Sequence, residues 1–218
     1  MVAQTRGQNS PRKLKFQQKL GGRGQTTDAL QKKLKALHSE LREMDQEHVD
    51  VQSLGNVRKE LIEDTILMHK DTGVKAYAAC CIADLLRLYA PDAPYNHREL
   101  ERIFSFFFQQ LTLHLKGGDS PYYEEYFDLL ESLSTVKSVV LVCDLPDADK
   151  LMNDAFRKLF AIVCHNPPKK IELFVADILT ALIDECQSLP NGVLECLLSK
   201  FMVEDLVRAR SLAHSPTA

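Results

Sequence analysis

Residues 71–95 contain a predicted helix with two buried faces, and this feature constrains the fold more than any other part of the sequence. One face repeats apolar side chains at spacings of three and four residues: Val74, Tyr77, Ala78, Cys81, Leu85 and Leu88. A second flank carries small side chains that let a neighbouring helix approach closely: Ala76, Ala79, Cys80 and Ala83. A helix with neighbours on both sides is typical of stacked helical repeats, so the sequence predicts a solenoid.

The segments around this helix also have helical periodicity. Before it, a leading amphipathic helix from Thr27 carries leucines at spacings of three and four, and a first partner helix is predicted from Val57 to His69. After it, Asn96 and Glu99 form a predicted capping box, and Ser120 is the predicted N-cap of the next helix.

The carboxyl half continues the pattern. Helices are predicted at 147–165, at 169–187 and after Gly192, separated by proline-containing turns. Residues 136–143 resemble a strand locally because four valines occur there, but the helical context favours a helix. Little sequence follows the apolar face of the predicted helix after Gly192. We therefore expect the carboxyl end of the solenoid to expose apolar surface.

Charge is distributed unevenly along the chain. The net charge is −3, yet the first 35 residues contain nine basic residues against one acid, Asp28, which leaves 18 basic and 29 acidic residues for the remainder. Residues 1–26 have few large apolar side chains, so they are predicted to be a disordered basic tail. Because the acidic body would repel phosphates, nucleic-acid contact is expected in the tail.

Sequence motifs for catalysis or cofactor binding are missing. Neither a Walker phosphate loop nor a dinucleotide glycine motif occurs, and Gly21–Gly24 has no preceding predicted strand. Adjacent Cys164 and His165 project apart on a helix, unlike a nucleophile and its base. The six cysteines lack zinc-pair spacing and are predicted to be reduced core residues. We therefore expect no cofactor and no enzymatic activity.

Several segments resemble a known family. Residues 57–95, VRKELIEDTILMHKDTGVKAYAACCIADLLRLYAPDAPY, and 127–138, FDLLESLSTVKS, resemble the amino-terminal part of the "precocious dissociation of sisters" proteins, HEAT-repeat regulators of cohesin. The segment LYAPDAPY is specific to that family, and the resemblance covers residues 28–205. It implies an all-α, HEAT/armadillo-like α-solenoid that regulates sister chromatid cohesion in the nucleus, on chromatin. The family's members are much longer, so the chain resembles the first part of such a protein.

The resemblance also implies partners and a site. The partners are the kleisin subunit of cohesin and peptide motifs of cohesin release and protection factors, without a membrane or a small-molecule substrate. The implied partner-binding residues are Tyr77, Asp84, Pro91, Asp92, Pro94 and Tyr95. The two prolines would restrict the loop and present exposed Asp92 and Tyr95 at little entropic cost. As alternatives, the loop is only a helix terminator, and Asp84 with Arg87 forms a surface ion pair of small energetic value.

Ser10 is a candidate phosphorylation site, because Ser10-Pro11-Arg12-Lys13 matches the Ser-Pro-x-basic pattern of cell-cycle kinases. A phosphate there would add about two negative charges to a basic cluster. The alternative is a solvated basic tail without a switch.

The sequence thus predicts three parts: a tail at 1–26, a HEAT-like helical region at 27–205, and a tail or incomplete helix at 206–218. A non-enzymatic cohesion scaffold is the favoured function. The alternative is a generic α-solenoid adaptor that binds peptide motifs in another nuclear or cytoplasmic complex.

Overall fold

A computed structural model describes residues 11–22, 24–115, 119–165 and 167–199. The α-helices in these ranges are α1 Thr27–Arg42, α2 Gly55–Leu61, α3 Asp64–Leu67, α4 Thr72–Tyr89, α5 His97–His114, α6 Tyr123–Val136, α7 Ala148–Val163 and α8 Lys169–Glu185. Short 3-10 helices occur at Gln46–His48, Val51–Leu54 and Ser138–Asp144, and residues 191–199 are helical. Within these ranges the β structure is limited to one isolated bridge between Arg12 and Val49.

The helices form two layers. Helices α1, α4, α6 and α8 pack side by side in that order, while α5 packs on α7 in the second layer, with α2 and α3 against α4. Each successive pair therefore stacks on the one before it, which confirms the predicted HEAT-like solenoid. Among the described helices, none combines the length and the hydropathy needed to cross a lipid bilayer.

Helix α4 is the core of the array, as its two apolar faces predicted. Val74 and Leu85 are fully buried on one face, and Ala76 and Ala79 are fully buried on the other. Burial of one large apolar side chain contributes about 1.5–3 kcal/mol, so α4 and its neighbours supply much of the hydrophobic stabilisation.

Side chains at the helix starts explain where α1, α4 and α5 begin. The Thr26 hydroxyl accepts from the amide of Ala29 at 3.3 Å, and Asp71 Oδ1 accepts from that of Val74 at 2.9 Å. Asn96 and Glu99 form the predicted capping box, which satisfies two otherwise unpaired amides.

Three local predictions were wrong. The segment Val57–His69 is two helices, because Glu63 is extended and its carbonyl accepts from the amides of Ile66 and Leu67 at 2.9 and 3.0 Å. Ser120 does not cap α6; that helix starts after Tyr122, which has a left-handed conformation with φ 61°. Residues Ser138–Asp144 are neither a strand nor an α-helix but a 3-10 helix after left-handed Lys137.

Gly73 lies in close contact with the ring of Tyr122. A Cβ atom at residue 73 would lie 2.5 Å from that ring, so glycine permits the approach. The Tyr122 hydroxyl then accepts from Gln31 Nε2 at 2.7 Å, which links α1 to the start of α6.

The predicted disorder of residues 1–26 is also corrected in part. Residues 11–22, the amino-terminal strap, lie against the body with Leu14 and Leu20 buried. The Leu14 amide donates to Ser53 Oγ at 3.0 Å and the Leu20 amide to Glu60 Oε2 at 2.6 Å. The composition of this segment predicted that the entropy cost of ordering it would keep it disordered. Burial of the two leucines and these hydrogen bonds offset that cost. Residues 1–10 and 200–218 lie outside the described residues.

Some large apolar side chains are exposed near the carboxyl end of the described residues. Leu173 of α8 is 54% exposed, and Leu198 in the following helical segment is 53% exposed, whereas Val193 is buried.

Candidate functional site

A groove of about 270 Å³ runs between α1, α4 and α6, and we call it the α1–α4–α6 groove. Its acidic, basic and histidine side chains come from all three helices: His38, Arg42, Asp84, Arg87, Asp128 and Glu131. Apolar and small residues of α4 and α6 form the rest of the lining. The groove therefore has charged walls and an apolar floor. It suits a side chain that has an apolar stem and a charged end.

Asp84 lines this groove and is 8% exposed. Its Oδ2 atom is 3.0 Å from His38 Nδ1, and its Oδ1 atom accepts from Arg87 Nη2 at 3.1 Å. Arg87 also donates to the carbonyls of Leu41 and Met44 at 2.9 and 3.0 Å. These carbonyls belong to the carboxyl end of α1 and the turn after it, where a cation interacts favourably with the helix dipole. The alternative of a surface ion pair between Asp84 and Arg87 was wrong, because both side chains are partly buried, at 11% and 26% exposed, and Arg87 also contacts α1.

A row of polar residues on α1 faces α4 and α6. Lys35 Nζ lies 5.8 Å from the centroid of the Tyr77 ring, and Arg42 Nη1 lies 2.7 Å from Asp128 Oδ2. With Gln31 and His38, these residues recur at spacings of three and four, so they share one side of the helix. The row positions α1 on both neighbouring helices.

Tyr77 also contacts α6. It is 6% exposed, and its hydroxyl donates to Glu125 Oε1 at 2.8 Å. Burial, and next the hydrogen bond to the Glu125 carboxylate, raise the pKa of Tyr77 well above its usual value. The phenol therefore remains a neutral hydrogen-bond donor at physiological pH.

The loop from Ala90 to Tyr95 is fixed by contacts on both sides. Gln46 donates to the carbonyl of Ala90, and Arg58 donates to that of Pro94. The Ala90–Pro91 peptide bond is cis. Pro91 and Asp92 are exposed.

Tyr95 lies in the core. It is 6% exposed, and its hydroxyl lies 3.4 Å from the carbonyl oxygen of Arg58, to which it donates. Pro94 is buried beside it. The predicted exposure of Tyr95 was therefore wrong: a large apolar ring at the end of the loop gains more from burial against α2 than from contact with water.

The six site residues predicted from the resemblance thus fall in three places. Tyr77 and Asp84, seven residues apart, lie on the side of α4 that faces α1 and α6. Pro91 and Asp92 lie at the exposed tip of the loop, and Pro94 and Tyr95 are packed beneath it. Ser10 lies outside the described residues.

Sequence reasoning missed the residues that α1 and α6 contribute to the groove: His38, Arg42, Asp128 and Glu131. The spacing of His38 and Arg42 from Gln31 and Lys35 was a usable signal, because it marks one polar side of α1. The α6 residues carry no comparable signal, since acidic residues occur on most of its exposed surface.

One group of side chains in the described ranges has the spacing of metal ligands. Asp45, Glu47 and His48 offer ligand atoms within 4.8 Å of one another, and all three are exposed. The hydrogen bond from His48 is the main cause that lowers the pKa of Asp45. The trio already has this internal contact and is open to water, so nothing in it points to a resident ion.

Comparisons with known proteins identify relatives for most of the chain. The family profile described as "Sister chromatid cohesion protein PDS5 protein" matches residues 28–215. Sister chromatid cohesion protein pds5 of Schizosaccharomyces pombe is 37% identical over 81% of this chain, and PDS5 of Saccharomyces cerevisiae is 36% identical over the same share. Human PDS5 homolog A is 33% identical over 79% of the chain.

A solved structure shows the same architecture. A chain in the structure of the Pds5–Scc1 complex superposes with a TM-score of 0.82 and 34% sequence identity, over 89% of this chain and 29% of that one. The chain spans only 13–15% of the length of these three curated relatives.

Proposed function

Because the chain belongs to the PDS5 family of sister chromatid cohesion proteins, we propose that it is a non-enzymatic scaffold that regulates cohesion by binding cohesin and its regulators. The proposed partners are the kleisin subunit of cohesin and short peptide motifs of release and protection factors. The proposed location is the nucleus, on chromatin. The structural similarity to a chain of the Pds5–Scc1 complex supports this assignment.

The observation that carries the proposal is the position of Asp92. The carboxylate is exposed at the tip of a loop that is held by Gln46 on one side and by Arg58 on the other. Such a loop loses little conformational entropy when a partner binds. Little of the binding free energy from a contact with Asp92 is therefore offset by ordering of the loop.

The α1–α4–α6 groove supports the same function. Its apolar floor and its partly exposed Asp128 and Glu131 carboxylates can contact an extended peptide that has a basic residue beside an apolar one. Stacked helices provide long surfaces that suit such peptides. We place Asp84 and Tyr77 beneath this surface, where they hold α1 and α6 in position, and Pro94 and Tyr95 beneath the loop.

Binding of the purified chain to peptides that tile the kleisin Scc1 and known cohesin regulators tests the proposal. Fluorescence anisotropy gives the affinity of each labelled peptide for the chain. Asp92→Lys should weaken at least one bound peptide by more than tenfold, because an attractive carboxylate becomes a repulsive ammonium group. Its melting temperature should remain close to that of the original chain, since the side chain is exposed.

The matched control is Asp149→Lys, which makes the same charge change at an exposed residue of α7. It should leave peptide affinity unchanged. Equal affinities in both variants would refute the role of the loop, and absence of binding by every kleisin and regulator peptide would favour an adaptor of another complex.

A further inference from the structure

The amino-terminal strap runs antiparallel to α1. Arg12 Nη1 donates to the carbonyl of Glu43 at 2.9 Å near the end of α1, and the Lys15 amide donates to Glu40. Nearer the start of the helix, Lys33 Nζ donates to the carbonyl of Lys19 at 2.7 Å. The strap therefore places its own side chains beside those of α1 along most of the helix.

This arrangement collects positive charge on one surface. Five lysines lie on the strap and on the first half of α1: Lys13, Lys15, Lys19, Lys32 and Lys33. None of the five forms an ion pair with a carboxylate in the described part of the chain. We call these residues the strap–α1 lysine surface.

Two acidic residues of α1 and its carboxyl end contact the strap and offset part of this charge. Glu40 accepts from the Lys15 amide, and Glu43 forms an ion pair with Arg12 at 3.5 Å. Between residues 11 and 35 the sequence contains a single acid, Asp28. The surface is thus strongly cationic on a chain whose other residues have a net negative charge.

We propose that the strap–α1 lysine surface binds the phosphate backbone of duplex DNA without sequence preference. Lysine is a compact point charge that pairs with phosphate without the planar geometry that arginine imposes. From Lys13 to Lys19 the extended strap covers about 20 Å at about 3.3 Å per residue. DNA presents a charge on each strand about every 3.4 Å of its axis, so several phosphates fall within reach of the surface.

A protein partner fits this surface less well. Lysine is depleted in protein–protein interfaces, and the large apolar side chains of the strap, Leu14 and Leu20, are turned into the body. Lys13, Lys15, Lys19 and Lys32 are exposed, and a surface of exposed ammonium groups without an apolar centre has the character of a backbone-binding site for nucleic acid. This activity is separate from the peptide docking proposed above and does not depend on it.

The test uses the full chain and a labelled duplex of about 30 base pairs with arbitrary sequence, over salt concentrations from about 50 to 200 mM. The variant Lys13→Gln/Lys15→Gln/Lys19→Gln removes three ammonium groups. The strap contacts of Lys15 and Lys19 are made by their backbone atoms, so the substitutions leave these bonds in place. The control, Lys59→Gln/Lys70→Gln/Lys150→Gln, makes the same change in net charge at exposed positions elsewhere.

We expect the strap variant to reduce the slope of log K against log salt by about one for each lysine that contacts a phosphate. The variant Lys32→Gln, which leaves the strap unchanged, should also reduce this slope. The control should retain the original slope, and circular dichroism should show equal helix content in all variants. Equal slopes in the strap variant and the control, or tighter binding of an acidic peptide than of duplex DNA, would overturn the proposal.

Discussion

His38 of α1 and Asp84 of α4 form a partly buried pair, with 3.0 Å between Nδ1 and Oδ2 and 13% and 11% of their side chains exposed. The second carboxylate oxygen of Asp84 accepts from Arg87, so both oxygens have a partner. Arg87 also donates to two carbonyls at the end of α1. Asp84 therefore holds the leading helix α1 against α4, and we propose that it affects partner binding only through this contact.

Replacement of Asp84 by alanine should destabilise the chain by about 3 kcal/mol, because a partly buried Arg87 loses its counter-ion and His38 loses its acceptor. Urea unfolding followed by circular dichroism measures this change. Asp128→Ala is the matched control: it breaks a more exposed pair with Arg42 and should cost less than about 1 kcal/mol. Similar losses of unfolding free energy in the two variants would contradict this structural role of Asp84.

Leu20→Ala should reduce the free energy of unfolding by about 2–3 kcal/mol, because this strap side chain is 1% exposed and leaves a cavity when shortened. Leu113→Ala, at a residue that is 55% exposed, should change it by less than about 0.5 kcal/mol. If Leu20→Ala were as mild as Leu113→Ala, the strap would not be packed on the body in solution.

Stability should depend on His114 between neutral and mildly acidic pH. Its ring stacks on Tyr126 with centroids 4.5 Å apart, and burial, followed by the charge of Lys75, lowers the pKa of His114 below 6.5. As the pH falls, His114 is protonated in the unfolded chain before it is protonated in the folded chain. The stability that neutral His114 provides is therefore complete above about pH 6.5, and it is lost as the pH falls through the folded-state pKa. His114→Gln should therefore flatten the curve of unfolding free energy between about pH 7 and pH 5. Parallel curves for the two proteins would refute this linkage.

The cysteines should differ strongly in reactivity. Burial raises the pKa of both the Cys80 and the Cys81 thiol well above the usual value. Cys164 is exposed at the end of α7, which corrects the prediction that all six cysteines lie in the core. Under a short pulse of iodoacetamide, mass spectrometry should find Cys164 modified first and the vicinal pair modified only after unfolding. Early labelling of Cys80 would indicate that α4 and α6 open at that position.

The helical solenoid was predictable because its causes are local. Apolar spacing set the faces of α4, and the Asn96 side chain fixed the start of α5 through a contact three residues away. Predictions failed where a distant contact decided the outcome. Leu14 and Leu20 are too few apolar residues to predict order, and only the partners supplied by Ser53 and Glu60 explain their position.

The candidate site was predictable only in part for the same reason. The resemblance indicated the segment from Tyr77 to Tyr95, but exposure depends on neighbours that are far away in sequence. Arg58 covers the end of the loop at Tyr95, and His38 covers Asp84. Asp92 is exposed, and it is the charge on which the proposed function depends.

Quantitative affinity purification of the chain from dividing cells tests the central claim most directly, with the original sequence, Asp92→Lys and Asp149→Lys compared in parallel. The account predicts that cohesin subunits or cohesin regulators are enriched with the original chain and with Asp149→Lys, and that Asp92→Lys loses them while its melting temperature is retained. Equal recovery with Asp92→Lys, or enrichment of a complex unrelated to cohesin, would contradict it.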